Sequence, residues 1–290
     1  MDSAERAQPH PAGQAGQSAG GRSELFLRVV SALILAPIAI GITYLGGWPF
    51  MLLWAAAAAG ILWEWTRLIA GRTERHVLMA GVVALAASFA ALAMNSPTVA
   101  LANLAVGAAV AAMIAPAGKR TWFAGGVVYA GLALVLPVLL RADAQHGFVA
   151  ILFLFAVVWA TDIAAYFAGR AFGGPKLAVR LSPKKTWSGA LGGTFCAILA
   201  GVMTAAIAGL DSLAMIAIIS LVLSVSSQTG DLAESALKRT FGAKDASQLI
   251  PGHGGLMDRL DGFLIAALVA TIIGVSRGGT DGAARGFLLW

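Results

Sequence analysis

Near the carboxyl end of the chain, acidic side chains recur at helical spacing. Asp231 and Glu234 lie three residues apart in LSVSSQTGDLAESALKR, and Asp258 and Asp261 lie three residues apart in LMDRLDG. Residues at i and i+3 share one side of a helix, so each pair would present two carboxylates together. Carboxylate oxygens suit Mg²⁺, which commonly takes one or two of them and completes its shell with water and phosphate. The pattern therefore favours Mg²⁺, and the single cysteine disfavours zinc.

Structural explanations for these acids stay open beside the metal site. Glu234 and Lys238 have the i, i+4 spacing of a helical ion pair, which stabilises an exposed helix by a few tenths of a kcal/mol. Asp258 and Asp261 would fall in a first helical turn, where negative charge complements the helix dipole. A carboxylate inside a membrane helix is nevertheless costly, so its presence there indicates a function.

Basic residues and glycines in two connecting segments predict an anion site. In RLSPKKTWSG, we expect Ser182 to cap a helix that begins at Pro183, which places Lys184 and Lys185 in its first turn. Cations are unfavourable at that end of a helix, so an external phosphate is their expected partner. The alternative is that both lysines only keep the loop on the cytoplasmic side. His253 lies in PGHGG, whose glycines allow a ligand to approach the backbone closely.

The elements that position these residues are predicted to be membrane helices. Hydrophobic residues make up 59% of the 290 residues and charged residues 12%, about half the charged share usual in soluble domains. An all-α, polytopic membrane protein is therefore predicted, with about nine transmembrane helices. The predicted spans are 26–46, 49–69, 77–94, 98–116, 122–140, 147–169, 187–209, 213–237 and 261–277.

The distribution of positive charge predicts the orientation of these helices. With the amino terminus inside the cell, all Lys and Arg residues except Arg141, Arg277 and Arg285 lie on the cytoplasmic face. We expect a multi-pass protein of the cell (inner) membrane, with its active site at that face. Residues 1–24 are predicted to be a disordered cytoplasmic tail, 25–145 the N-terminal transmembrane helices and 146–290 the C-terminal catalytic region.

Three motifs resemble those of phosphatidate cytidylyltransferases, also called CDP-diacylglycerol synthases. They are SALKR-x4-KD-x-S-x2-IPGHGGL-x-DRLD at 235–261, GDLxES at 230–235, and D-x3-Y-x2-GR with SPKKTW at 162–187. The resemblance covers roughly the last half of the chain, and the first five spans match that family only in hydropathy. Ser188 departs from the pattern, because the family often has Glu there, so it receives no predicted role.

The resemblance implies that CTP and phosphatidate react to give CDP-diacylglycerol and pyrophosphate. It assigns metal binding to Asp231, Asp258 and Asp261, with Asp162 as a further metal or orienting residue. The predicted catalytic residues are Asp231, Lys238, Arg239, Lys244, Asp245, Asp258 and Arg259. Substrate binding is predicted for Ser182, Lys184, Lys185, Thr186, Glu234, Ser235, His253 and Gly254.

The expected partners follow from that reaction. They are CTP, phosphatidate and the lipid bilayer, with no nucleic acid, while a homo-oligomer and a second, monovalent cation beside Mg²⁺ stay open. Two other functions also remain. A CTP-dependent polyprenol or lipid kinase would use similar substrates but release CDP. An ion-coupled transporter could use Asp162, Asp231 and Glu234 as a cation pathway, although transporter sites usually lie near the bilayer midplane.

Overall fold

The computed structural model describes residues 33–247, 249 and 254–290. The predicted tail, 1–24, and His253 lie outside this part of the chain. The described residues form ten helices and one β-hairpin. In chain order these are α1 (described over Leu33–Leu45), α2 (Gly47–Ala70), α3 (Arg75–Ala93), α4 (Pro97–Ile114), α5 (Arg120–Arg141), α6 (Gly147–Phe172), β1 (Lys176–Ala178), β2 (Ser182–Thr186), α7 (Trp187–Ile207), α8 (Leu213–Thr240), α9 (Met257–Gly278) and α10 (Ala283–Leu288).

The predicted all-α membrane fold is confirmed. Each predicted span overlaps one of the helices α1 to α9. Among the described residues, seven helices, α3 to α9, are long and apolar enough to cross a membrane. The described part of α1 is shorter, and α2, which carries Glu64 and Arg67, falls outside that class. The chain is therefore a multi-pass helical protein, while nine crossings stay a prediction.

The helix predicted to begin at Pro183 is wrong. Ser182–Thr186 forms β2, which pairs antiparallel with β1 so that Lys176 lies opposite Thr186. Helix α7 begins only at Trp187, where Thr186 Oγ1 accepts a hydrogen bond from Gly189 N at 3.1 Å. Thr186 is extended and satisfies a first-turn N–H, so it performs the capping expected of Ser182. Pairing with β1 thus keeps the lysine-bearing segment out of the helix.

Glycines bring the site-bearing helices into backbone contact. A Cβ on Gly193 of α7 would lie 2.7 Å from Thr161 O of α6. Between α8 and α9, a Cβ on Gly230 would lie 2.7 Å from Asp261 O, and one on Gly262 would lie 2.5 Å from Ser227 Oγ. Small residues commonly permit such close packing between membrane helices. The contact at Gly230 places the neighbouring Asp231 beside the start of α9.

Helices from the first half of the chain also pack against α9. Both α2 and α5 contact it, and the rings of Trp54 and Phe263 stack with their centroids 5.1 Å apart. Trp65 Nε1 of α2 donates a hydrogen bond to Trp122 O of α5 at 2.8 Å. The helix that carries Asp258 and Asp261 is therefore supported from both halves of the chain.

The described connections gather at two ends of the bundle. At one end, Lys119 Nζ between α4 and α5 donates to Ile69 O of α2, and Lys185 of β2 pairs with Asp231 of α8. At the other end, Arg141 Nε donates to Thr43 O at 2.7 Å, and Ser212 Oγ donates to Trp290 O. We call the first the site end, because the predicted site residues lie there.

Candidate active site

Two lysines at the site end pair with carboxylates that were predicted to bind metal. Lys185 Nζ pairs with Asp231 Oδ2. Lys238 Nζ pairs with Asp258 Oδ1 and lies 3.0 Å from Glu234 Oε1. Only 9% of Lys238 and 5% of Glu234 are exposed. A buried ammonium therefore lies between two carboxylates, and the i, i+4 pair of Glu234 and Lys238 is part of a larger ionic cluster.

The backbone around Asp258 fixes the orientation of its carboxylate. Oδ2 accepts hydrogen bonds from Gly255 N at 2.9 Å and from Ala246 N at 3.0 Å, while Oδ1 contacts Lys238. Asp258 also lies in the first turn of α9, where its charge complements the helix dipole. Its structural role and its predicted catalytic role are therefore compatible.

The acids that α6, α8 and α9 place at the site end outnumber the cations that lie beside them, so this region carries excess negative charge. Asp261 lies within electrostatic range of Asp231 and Asp162, and its Oδ1 accepts a hydrogen bond from Gly262 N at 2.7 Å. Glu234 Oε2 is buried and has no hydrogen-bond partner among the described residues. Asp162 is also within range of Lys185 and Arg259, which places Arg259 near this region.

These donors fit Mg²⁺ in chemistry and in charge. The described residues contain no group of three or more His, Cys, Asp or Glu side chains arranged to hold a metal. A Mg²⁺ site with one or two protein carboxylates and further oxygens from phosphate and water is the usual arrangement beside nucleotides. The acidic surplus and the unpartnered carboxylate oxygen of Glu234 are consistent with such a cation. The three predicted ligands, Asp231, Asp258 and Asp261, stay a prediction.

A cavity of about 210 Å³ brings together seven of the predicted site residues. Its walls come from the β-hairpin, the last turns of α8 and the turn that follows. They consist of Leu181, Ser182, Pro183, Lys184, Ser235, Lys238, Arg239, Lys244 and Asp245. Four of these side chains are basic, so the cavity suits a polyphosphate better than an apolar ligand.

A larger cavity of about 700 Å³ shares Asp245 with the first. Trp63 and Arg67 of α2 line it together with Phe241 and Ser247, and the Arg67 guanidinium lies 4.8 Å from the centre of the Trp63 ring. The sequence analysis assigned none of the α2 residues to the site. Their contribution depends on the packing of α2 beside the 241–249 segment, which no local pattern shows.

The other predicted residues occupy supporting positions. Thr186 caps α7, and Ser235 Oγ lies 3.5 Å from Asp231 Oδ1. Gly254 lies beside Asp258 Oδ2 and has φ +81°, a left-handed backbone conformation that favours glycine at this position of the loop. The predicted role of His253 lies outside the described residues and stays a prediction.

Sequence reasoning missed Glu64, which is fully buried in α2. Its Oε1 accepts hydrogen bonds from Ser247 Oγ at 2.5 Å and Leu256 N at 2.8 Å, and its Oε2 accepts one from Met257 N at 2.7 Å. The available signal was an acid within the apolar segment ILWEWTRL, the same criterion that singled out Asp162.

The fold and the site together define a multi-pass membrane protein with a cationic cavity beside an acidic cluster at one end of its helical bundle. The model of the cytidylyltransferase family matches residues 26–276. The chain therefore belongs to the cytidylyltransferase family.

Proteins with curated names agree with this assignment. The chain is 42% identical over 253 residues to the phosphatidate cytidylyltransferase of Brucella suis, which covers 87% of this chain and 94% of that relative. It is 37% identical over 261 residues to the phosphatidate cytidylyltransferase of Pseudomonas aeruginosa, covering 82% of this chain and 93% of that relative. The similarity thus includes the N-terminal helices, for which the sequence analysis found only matching hydropathy.

The ionic cluster predicts unequal effects of two lysine substitutions on stability. Lys238→Met would leave Glu234 and Asp258 buried without their shared cation, and removing one partner of a buried ion pair costs about 3–5 kcal/mol. The matched control is Lys184→Met, because Lys184 is exposed and lines the same cavity. We expect the thermal unfolding midpoint in detergent to fall clearly for Lys238→Met only. Equal midpoints for both variants would contradict a stabilising role for the cluster.

Proposed function

We propose that this protein transfers the cytidylyl group of CTP to phosphatidate, giving CDP-diacylglycerol and pyrophosphate. The observation that carries the proposal is the wall of the smaller cavity, which contains three lysines and one arginine and lies directly beside carboxylates of α8 and α9. Membership of the cytidylyltransferase family and the names of the similar proteins support the choice of nucleotide and lipid.

The chemistry requires positioning and charge stabilisation more than a strong base. A phosphate oxygen of phosphatidate attacks the α-phosphorus of CTP, and a new P–O bond forms as the bond between the α-phosphorus and the bridging oxygen breaks. Pyrophosphate leaves with the electron pair of that bond. A phosphate monoester has a second pKa of about 6, by analogy with phosphoserine, so it is an anionic nucleophile near neutral pH. The cost lies in bringing two anions together, which cationic groups offset.

Each group of charged residues has a place in this proposal. Lys184, Arg239 and Lys244 bind the phosphates of CTP from the cavity wall. Asp231, Asp258 and Asp261 would hold Mg²⁺, which when bound offsets charge on the departing pyrophosphate. Lys185 and Lys238 pair with two of those carboxylates in the structure and lie close enough to the cavity to turn towards phosphate.

The lipid and the nucleotide would meet at the cytoplasmic boundary of the cell membrane. Phosphatidate can keep its acyl chains in the bilayer while its headgroup reaches the site end. The site end carries the connections between α2 and α3, α4 and α5, α6 and α7, and α8 and α9. These connections and the helix turns that flank them hold 14 of the 20 Lys and Arg residues. Cytoplasmic loops retain Lys and Arg, so we propose that the site end faces the cytoplasm and that the amino terminus lies there too.

Single cysteines at opposite ends of the bundle test this orientation. In a Cys196→Ala background, Arg72→Cys would lie at the site end and Asp211→Cys at the other end, and both native residues are exposed. A membrane-impermeant maleimide should label Asp211→Cys in intact cells but Arg72→Cys only after permeabilisation. The reverse pattern would show that the site end faces outward.

The two products of the reaction test the activity itself. Protein purified in detergent and supplied with CTP, Mg²⁺ and phosphatidate should produce CDP-diacylglycerol and pyrophosphate in equal amounts. A lipid kinase would instead release CDP and a further phosphorylated lipid. Formation of CDP without any CDP-lipid would reject the proposal, and so would the absence of turnover by folded, monodisperse protein.

Asp258→Asn tests the predicted metal site. The substitution keeps the size of the side chain but removes its charge, and losing one electrostatic contact in a transition state costs about 100-fold to 1,000-fold in rate. We expect a loss of this size together with a higher Mg²⁺ requirement. Asp211→Asn, an exposed position at the opposite end, is the control.

A purely structural Asp258 gives a different result in the same Mg²⁺ titration. The variant would then unfold at a lower temperature while its turnover at low Mg²⁺ stayed near that of the control. That outcome would remove Asp258 from the metal site.

A further inference from the structure

We propose that Glu64 is a positioning residue that holds the start of α9 so that Asp258 meets Lys238 and the phosphates. Glu64 lies on α2 and is fully buried. Among the described residues, its side chain accepts hydrogen bonds from Ser247, Leu256 and Met257, which lie in the two segments that also bond Asp258. The catalytic part of this inference rests on the proposed function.

The carboxylate of Glu64 serves as a cap supplied by a distant helix. The first N–H groups of a helix have no partner within the helix. Leu256 N and Met257 N, at the start of α9, instead donate to Glu64 Oε1 and Oε2 at 2.8 and 2.7 Å. Negative charge at this end also complements the helix dipole. Glu64 therefore fixes where α9 begins, although it lies 192 residues from Leu256 in the sequence.

Glu64 and Asp258 accept hydrogen bonds from the same two segments of the chain, and within each segment their donors are adjacent residues. In the first segment, Ala246 N donates to Asp258 and Ser247 Oγ donates to Glu64. In the second, Gly255 N donates to Asp258, and the next two N–H groups donate to Glu64. The two carboxylates thus clamp the two segments side by side, so a shift of one changes the hydrogen bonds of the other.

Gly255 shows how tightly the two carboxylates enclose this backbone. A Cβ on Gly255 would lie 2.9 Å from Asp258 Oδ2 and also 2.9 Å from Glu64 Oε1. There is consequently little space for α9 to move towards either side chain. Displacing Glu64 would be transmitted through residues 255–257 to Asp258, and hence to its contact with Lys238.

A purely structural role for Glu64 makes a different prediction. If Glu64 only ties α2 to α9, its loss lowers the unfolding midpoint but leaves the Mg²⁺ requirement of the folded enzyme unchanged. If Glu64 positions Asp258, its loss changes amide hydrogen exchange at the start of α9 in the ligand-free protein. Its loss then also raises the Mg²⁺ requirement of the enzyme. The two readouts separate these roles.

Glu64→Gln is the primary test. In the wild-type protein, both carboxylate oxygens of Glu64 accept hydrogen bonds. Glutamine keeps one acceptor oxygen but replaces the other with an NH₂ group, which would face a hydrogen-bond donor. We expect faster amide exchange in residues 254–258 without substrates, and a fall in kcat/KM of about 10-fold to 100-fold at limiting Mg²⁺, as for a lost hydrogen bond to a charged group. Glu74→Gln is the matched control, because Glu74 lies at the same end and its side chain accepts a hydrogen bond from the exposed Arg72.

Ser247→Ala gives a second, milder test that keeps the carboxylate. It removes the hydrogen bond from Ser247 Oγ to Glu64 Oε1 and also the one that Ser247 Oγ accepts from Leu249 N at 3.0 Å. Amide exchange and the Mg²⁺ requirement should change in the same direction as in Glu64→Gln, but by less. Because Ser247 contacts Glu64 directly, the two effects should add to less than their sum, and the Mg²⁺ requirement of the double variant should stay close to that of Glu64→Gln alone.

Specific results would overturn the inference. The inference is wrong if amide exchange in residues 254–258 of Glu64→Gln matches that of the Glu74→Gln control. It is also wrong if folded Glu64→Gln protein has a normal Mg²⁺ requirement. If Glu64→Gln does not fold, normal exchange and normal Mg²⁺ requirement in Ser247→Ala decide against the proposal. Absence of CDP-lipid from the wild-type protein would reject the proposed function instead, because the exchange measurement uses no substrate.

Discussion

The structure depends on a cluster of opposite charges that is buried at the site end of the helical bundle. Lys238 lies between Glu234 and Asp258, and all three side chains are largely removed from water. Such an ion cluster gains little over apolar packing, because desolvation offsets most of the attraction. Its individual members are nevertheless costly to leave unpaired. The close packing of α8 and α9 at Gly230 and Gly262 keeps the acids and the lysine together.

Hydrogen bonds to the backbone convert this charge into defined geometry. Asp258 accepts hydrogen bonds from the N–H groups of Ala246 and Gly255, and Glu64 accepts those of Leu256 and Met257 at the start of α9. Each carboxylate is thus oriented by backbone groups that cannot rotate away independently. Since Glu64 belongs to α2, the first half of the chain contributes directly to this geometry. The packing of Trp54 on Phe263 supports the same contact from within the bundle. The N-terminal helices therefore do more than anchor the predicted site residues in the membrane.

The sequence predicted the helices well because long apolar runs have few alternatives in a membrane. It also named Lys184, Arg239 and Lys244 as phosphate-binding residues, and the fold brings all three to one cavity. Their binding role stays a prediction. The cap at Ser182 was wrong because Ser182 and Thr186 are both acceptable caps, and pairing between β1 and β2 decides between them. Glu64 was missed because its partners are distant in sequence, and only the fold brings them together.

The ion pairs also constrain how substrates could bind under the proposed function. Lys185 and Lys238 are cations suited to phosphate, yet each pairs with a carboxylate suited to Mg²⁺. A phosphate that attracted Lys238 alone would leave the largely buried Asp258 without compensation, and burial makes such a charge expensive. The cost is smaller for Asp231, because its side chain is 36% exposed to water. Binding of the nucleotide and binding of the divalent cation should therefore favour each other, since any such coupling is reciprocal. The same side chains can in this way stabilise the folded protein without ligands and discriminate against either ligand when the other is missing.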